Sequence, residues 1–231
     1  MLIGGIQKTS CIDYPGKLSC VLFLSGCNFD CPYCHNPQLA RGAEGLPGRV
    51  SLDEAFGFLG RRRGLLDGVV VSGGEPTLHP DLPELCRRIK QLGYPVKLDT
   101  NGSRPDMIAA LVADGLVDYI AMDLKTDPER YSGCVAPRCD ARALRASIRT
   151  IMHAGVPYEF RTTCVRPLVS TGTVERLARL IRGSRLYVLQ PFRGGDILHP
   201  EFFDADPGFS AAEMDELARR AEPWVERCCV R

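Results

Sequence analysis

The chain has 231 residues, 45% of them hydrophobic, with 29 basic and 28 acidic side chains and a net charge of +1. A chain of this length hides roughly 70–75% of its unfolded surface in one core, so 1–231 reads as a single domain, and its balanced charge gives no general reason to expect nucleic acid or an anionic membrane. No apolar run reaches the roughly 18 residues that cross a bilayer, and no basic-then-apolar leader opens the chain; the expectation is a soluble, cytoplasmic protein.

Strands are predicted from short, apolar, β-branched runs and helices from 3.6-residue periodicity. The first strand covers 18–24. A helix follows over 52–62, with Ser51 as its cap and Glu54 three residues on. Then come strand 68–72, helix 82–92, strand 96–99, helix 105–114, strand 117–122, helix 141–154, strand 158–165, helix 174–182 preceded by Thr173, and strand 186–190. Gly93, Gly115, Gly155 and Gly183 each follow a helix end. Six such repeats imply an α/β protein with an all-parallel sheet and right-handed crossovers. The simplest arrangement is a partial (β/α)6 TIM-like barrel over about 16–200. A last helix over 211–221 packs outside it.

Between the first strand and the first helix lies Gly26-Cys-Asn-Phe-Asp-Cys-Pro-Tyr-Cys-His-Asn-Pro37. Its C-x3-C-x2-C spacing offers three thiolates, Cys27, Cys31 and Cys34, and no fourth. Structural zinc is closed by four ligands and ordinary Fe–S electron carriers use four cysteines, so three suit a [4Fe–4S] cluster with one iron open to a small molecule. Pro32 and Pro37 stiffen the loop, Gly26 permits its turn, and Phe29 and Tyr33 can wall a cluster from water. The alternative is a zinc knuckle closed by His35, which would put consecutive residues on one metal. The eleven cysteines do not suggest a disulfide framework: the count is odd, and the chain is long for a disulfide scaffold. Cys20, Cys86 and Cys164 fit buried positions, whereas Cys134, Cys139, Cys228 and Cys229 read as exposed thiols or as a further metal or redox pair. Arg61-Arg-Arg63 is the only basic cluster in the sequence and reads as a solvated helix end.

Cys27 to Cys34, with an aromatic residue before the last cysteine, and Val69-Val-Val-Ser-Gly-Gly-Glu75-Pro76 together resemble the radical S-adenosylmethionine (SAM) superfamily. Further motifs, Gly5 to Lys17, Cys34-His-Asn-Pro37, Leu98-Asp-Thr-Asn-Gly102, Met122-Asp-Leu-Lys125 and Leu189-Gln-Pro-Phe-Arg193, are similar to the activating enzymes of glycyl radical enzymes, and most of all to those of anaerobic ribonucleoside-triphosphate reductase. The resemblance runs from about 4 to 200. It implies a [4Fe–4S] cluster and SAM as cofactors, an electron donor such as flavodoxin or ferredoxin, and reductive cleavage of SAM to a 5′-deoxyadenosyl radical that takes a hydrogen from a glycine of a partner enzyme.

Ligands of parallel α/β folds sit at the carboxyl ends of strands, and five motifs fall there. Gly73 and Gly74 admit close backbone approach, and Glu75 can accept from an ammonium. Asp99, Asn101 and Asp123 follow the third and fourth strands. Lys125 is placed to meet a carboxylate, which the resemblance makes that of SAM. Arg161, a charge inside an apolar strand, needs an ion-pair partner or a place in the barrel interior. The resemblance also implies a monovalent cation near Asp99, Thr100, Met122 and Asp123, and it leaves Gln190 as the best contact for the ribose. His79, His153 and His199 lack ligand-like spacing and read as surface or loop residues. A pyruvate formate-lyase activase is the second reading; such enzymes carry Asp-Gly-Pro-Gly where Asp13-Tyr-Pro-Gly16 stands here. A non-catalytic Fe–S electron carrier is a third, which leaves the strand-end motifs unexplained.

Overall fold

The computed structural model describes residues 3–42, 48–136, 138–203 and 206–231. One sheet carries eight strands in sequence order: β1 (Ile3–Ser10), β2 (Ser19–Leu24), β3 (Gly68–Gly73), β4 (Val96–Thr100), β5 (Tyr119–Asp123), β6 (Tyr158–Cys164), β7 (Tyr187–Pro191) and β8 (Cys228–Val230). The six expected strands are β2 to β7, all parallel. The all-parallel expectation fails at one edge, where β1 runs antiparallel to β2. At the other edge the three-residue β8 adds in parallel to β7. No pairing between β1 and β8 exists among the described residues, so the barrel stays open along that side.

Eight α-helices connect or flank the strands: α1 (Pro37–Arg41), α2 (Leu52–Arg61), α3 (Leu82–Gln91), α4 (Pro105–Ala113), α5 (Tyr131–Cys134), α6 (Ala141–Met152), α7 (Thr171–Leu180) and α8 (Ala211–Ala221). Ser51 and Glu54 form the expected capping box on α2, and Ser210 and Glu213 form another on α8. Helix α7 begins three residues before the expected start: Ser170, not Thr173, is its cap, and its hydroxyl accepts from the Thr173 amide at 3.2 Å. Gly172 inside the first turn hides that boundary from propensity.

The main core lies between the sheet and the helices, with Leu22, Val71, Leu98, Ile120, Phe160 and Leu189 facing outward into it. The opposite strand face lines the barrel interior. Cross-strand register places Val21, Val70, Lys97 and Tyr119 side by side on that face, where Tyr14 closes the floor in a small apolar cluster. Further along the strands, the period-2 alternation brings Ser72, Asp99, Asp123, Arg161, Thr163 and Gln190 to the carboxyl end. The interior is thus apolar at the floor apart from Lys97, and charged at the mouth. Among the described residues no helix is long and apolar enough to cross a membrane. Arg61, Arg62 and Arg63 are exposed at the end of α2 as expected.

Candidate active site

The cysteine loop leaves β2 at the mouth and lies across it. Its start is pinned by α1: the Gly26 amide donates to Leu39 O at 2.7 Å and the Cys27 amide to Ala40 O at 3.0 Å. The Asn28 side chain donates to Ser103 Oγ at 2.9 Å, beyond β4. The Asp30 amide donates to Val135 O at 2.7 Å, beyond β5, and Phe29 meets the Tyr131 ring edge-on at 5.6 Å. The far end is held from beyond β7, where the Leu198 amide donates to Cys34 O at 3.1 Å and the His199 amide to Pro32 O at 3.0 Å. The His199 ring adds a contact to Asp30 at 2.9 Å, so this histidine, expected as an ordinary loop residue, clamps the loop.

Cys27, Cys31 and Cys34 line one cavity of about 220 Å3 together with Phe29 and Tyr33. Burial pushes the Cys27 thiol up to about 11 and the Cys31 thiol up to about 12, so holding thiolates there requires strong positive charge at the sulfurs. The Phe29 amide donates to Cys27 Sγ at 3.4 Å, a bond that favours the thiolate. Two hydroxyls in this neighbourhood, Tyr33 OH and Ser25 Oγ, are buried without a hydrogen-bond partner.

Gly73 and Gly74 are packed closely against neighbouring backbone. A Cβ on Gly74 would stand 2.1 Å from Gly26 O, and one on Gly73 would stand 2.3 Å from Leu24 O, with Gly73 at φ +119°. The close approach is therefore to the backbone that carries Cys27. The Gly74 amide donates to Leu24 O and the Glu75 amide to Gly26 O, both at 2.8 Å, extending the β2–β3 ladder into the cysteine loop. Glu75 is also largely spoken for. It is 1% exposed; Oε1 accepts from the Thr77 amide and hydroxyl and from Thr100 Oγ1, and Oε2 accepts from the Asn101 amide at 2.6 Å. It braces the ends of β3 and β4, with one lone pair of Oε2 left for a ligand.

Asp99, Asp123, Lys125 and Arg161 form one charged network at the mouth. Arg161 Nε donates to Asp123 Oδ1 at 2.7 Å and Nη1 to Asp99 Oδ2 at 3.4 Å, while Lys125 Nζ donates to Asp123 Oδ2 at 2.9 Å. Lys97 Nζ, buried below, closes on Asp99 Oδ1. Burial raises the Asp123 carboxyl, but Arg161 and Lys125 outweigh it and hold the group far below the usual range. Burial likewise opposes the charge on Lys125, and Asp123 overcomes it, so its ammonium is firmly protonated. Three cations face two carboxylates, and the carboxylates expected to share a monovalent cation are bridged by Arg161. Lys97 was missed in the sequence, although it carries the same signal as Arg161, a charge inside an apolar strand.

The cavity that holds the cysteines is lined also by Gly73, Gly74, Glu75, Asn101, Lys125 and Arg161, along with Asp99 and Asp123. Gln190 is not among them. It lines a second cavity of about 870 Å3, which opens at the unpaired side of the barrel between the β1–β2 loop and the end of β7 and shares His35, Arg161 and Thr163 with the first. Cys134, Cys139, Cys228 and Cys229 are half-buried and not the exposed thiols expected, because the first two sit beside the cysteine loop's support and the last two pair with β7.

Residues 21–182 match the radical SAM superfamily. The chain belongs to that superfamily. Among named relatives, a Methanocaldococcus jannaschii protein bearing the name of a glycyl-radical enzyme activating enzyme is 35% identical, over 100% of this chain and 95% of its own length. The pyruvate formate-lyase-activating enzyme of Clostridium pasteurianum is 27% identical over 79% of this chain and 77% of its own. The fold agrees with solved structures. Streptococcus suis SuiB superposes with a TM-score of 0.67 at 12% identity, covering 91% of this chain and 48% of SuiB. The chain is thus a radical SAM enzyme of the glycyl-radical activating class, a family that implies SAM and a [4Fe–4S] cluster. The site fits both. Three soft thiol donors line one cavity, the donor set a cubane takes at one thiolate per iron with the fourth iron left open. The unpartnered Tyr33 hydroxyl belongs to a residue of the same cavity, and Lys125 and Arg161 line it together with Glu75, Asp99 and Asp123, so the cavity offers both donors and acceptors to a zwitterionic ligand beside the cluster.

Proposed function

We propose that Cys27, Cys31 and Cys34 hold a [4Fe–4S] cluster, that the cavity beside them binds SAM, and that the enzyme installs a glycyl radical on anaerobic ribonucleoside-triphosphate reductase. The observation that carries the reading is the junction of the three-cysteine loop with the Asp99–Arg161–Asp123–Lys125 network in one cavity at the strand ends. When bound, the two cofactors supply one-electron cleavage of the sulfonium and hence removal of a hydrogen from a glycine Cα.

The chain's residues position and shield. Lys125 and Arg161 are the cations that line the cavity and can meet a methionyl carboxylate, in surroundings dry enough to make that charge count. Glu75 Oε2 and the strand-end backbone at Gly73 and Gly74 are the acceptors for its ammonium, with Asp99 and Asn101 beside them. Phe29 and Tyr33 exclude water, and no side chain has to act as nucleophile or general acid. A monovalent cation between Asp99 and Asp123 requires Arg161 to swing away. Gln190 and the open side serve the ribose end and the incoming glycine loop. The electron comes from a carrier such as flavodoxin or ferredoxin, in the reducing cytoplasm that an oxygen-sensitive cluster needs.

The reductase is favoured as partner because Asp13-Tyr-Pro-Gly16 departs from the formate-lyase-activase pattern. The second reading, activation of pyruvate formate-lyase, is favoured by the likeness to the C. pasteurianum enzyme. The test is anaerobic release of 5′-deoxyadenosine under dithionite, followed by mixing with each partner and reading the glycyl doublet by electron paramagnetic resonance. A doublet on the formate-lyase alone overturns the partner assignment. Absence of deoxyadenosine overturns the whole reading.

A further inference from the structure

Parallel strands and returning helices put the N-termini of α4 and α6 at the mouth of the barrel, the end that carries the cysteine loop. Three arginines stand there: Arg104 caps α4, Arg142 lies in the first turn of α6, and Arg138 precedes its cap Asp140. All three are exposed, and none has a carboxylate partner among the described residues. They are far apart in sequence, which is why no basic cluster is legible there. The cysteine loop runs between them: Asn28 is bonded to Ser103, next to Arg104, and the Asp30 amide to Val135, three residues before Arg138.

The acids of this face are largely occupied. Asp30 meets His199, Glu129 pairs with Arg145, and Asp140 accepts from the Arg142 amide at 2.8 Å. Asp106 in the first turn of α4 and Asp140 stay exposed and, among the described residues, uncompensated by a cation, two carboxylates against the four guanidinium groups of Arg104, Arg130, Arg138 and Arg142. Two helix N-termini add positive potential. The face is therefore basic, borders the edge of the cysteine loop, and lies away from the second cavity at the open side of the barrel.

Building on the function proposed above, we propose that this face, formed by Arg104, Arg138 and Arg142 beside the Asn28–Asp30 edge, docks a small acidic one-electron carrier protein. Charge complementarity selects the partner, and the position delivers the electron by the short side of the loop. One electron leaves an anionic flavin hydroquinone, which becomes the neutral semiquinone, and the cluster is reduced by one unit; no proton moves and no bond forms or breaks. Because the docking face and the open side are separate, carrier and glycyl enzyme can be bound together.

The test uses the reconstituted holoenzyme and photoreduced flavodoxin. Calorimetry should show binding that weakens with salt, and the triple variant Arg104→Glu, Arg138→Glu, Arg142→Glu should weaken it about 10-fold or more and slow flavin oxidation in stopped flow to match. Acidic residues suit helix N-termini, so the variant should fold. Dithionite-driven deoxyadenosine release should be unchanged. If the wild type releases none with dithionite, the proposed function fails. If it does, and the variant binds and oxidises flavodoxin like the wild type, the docking inference fails. Loss of dithionite-driven activation of the glycyl enzyme assigns the face to that partner and overturns the inference as well.

Discussion

Replacing Gly74 by Ala should damage the cysteine loop before it touches any ligand. The first added atom is the one that collides: it would stand 2.1 Å from Gly26 O and 2.6 Å from Gly26 C, and both are backbone. No rotamer relieves this, so the oxygen contact must open to at least 3.0 Å by moving β3 away from the loop. The Glu75 amide to Gly26 O bond, 2.8 Å in the native packing, is the first casualty. Leaving a buried backbone pair unmade costs about 1–3 kcal/mol, partly offset by about 0.4–1 kcal/mol from the stiffer unfolded chain. For a chain of this size, each kcal/mol lowers the melting temperature by about 2–4 °C. The assay is iron and sulfide per chain after anaerobic reconstitution, with thermal unfolding of the metal-free protein alongside. Gly74→Ala should lose most of its cluster and melt several degrees early. The control is Gly60→Ala in α2, where an added Cβ meets nothing within 4 Å; it should gain roughly 0.5–1 kcal/mol and load normally. Full cluster content and an unshifted melt for Gly74→Ala would refute the argument that these glycines exist to pack strand on loop.

Changing Cys27, Cys31 or Cys34 to Ala should each abolish the cluster, whereas Cys228→Ala and Cys229→Ala should spare it; iron counting and the visible charge-transfer band report both. Asp123→Asn strands Arg161 and Lys125 in the mouth and should cost about 3–5 kcal/mol by denaturant unfolding. The same carboxyl predicts a pH effect: its folded pKa is depressed, so its contribution is complete above the unfolded value of about 3.9 and fades as pH falls below it. Melting followed from pH 6 to 3 should drop for the wild type and be flatter at the acid end for Asp123→Asn. Lys125→Ala should weaken SAM binding by equilibrium dialysis at unchanged cluster content, and unaltered affinity removes Lys125 from the site.

Six parallel strands, most helix ends and the strand-end position of every motif were readable because long apolar runs and caps are local signals. What escaped is non-local. Strand β1 carries Gly4-Gly5 and polar Gln7, Lys8 and Thr9, so it looks like a loop until β2 pairs with it. Strand β8 is three residues long and acquires its conformation from β7. The bracing role of Glu75 is hidden because Thr77, Thr100 and Asn101 are brought to it only by the β3–β4 junction. Nothing in the sequence says that Arg161 reaches both Asp99 and Asp123.

The clamp on the cysteine loop bears on how the enzyme is matured in the cell. His199 grips Asp30 across 169 positions of sequence, and Leu198 holds Cys34 over a similar span. A nascent chain displays all three cysteines early, long before β7 and its following loop have emerged. Until they do, the thiols sit on a tether fastened by α1 and the nearer strand ends alone. Iron delivered during synthesis would meet a cradle whose far clamp, at Leu198 and His199, is not yet in place.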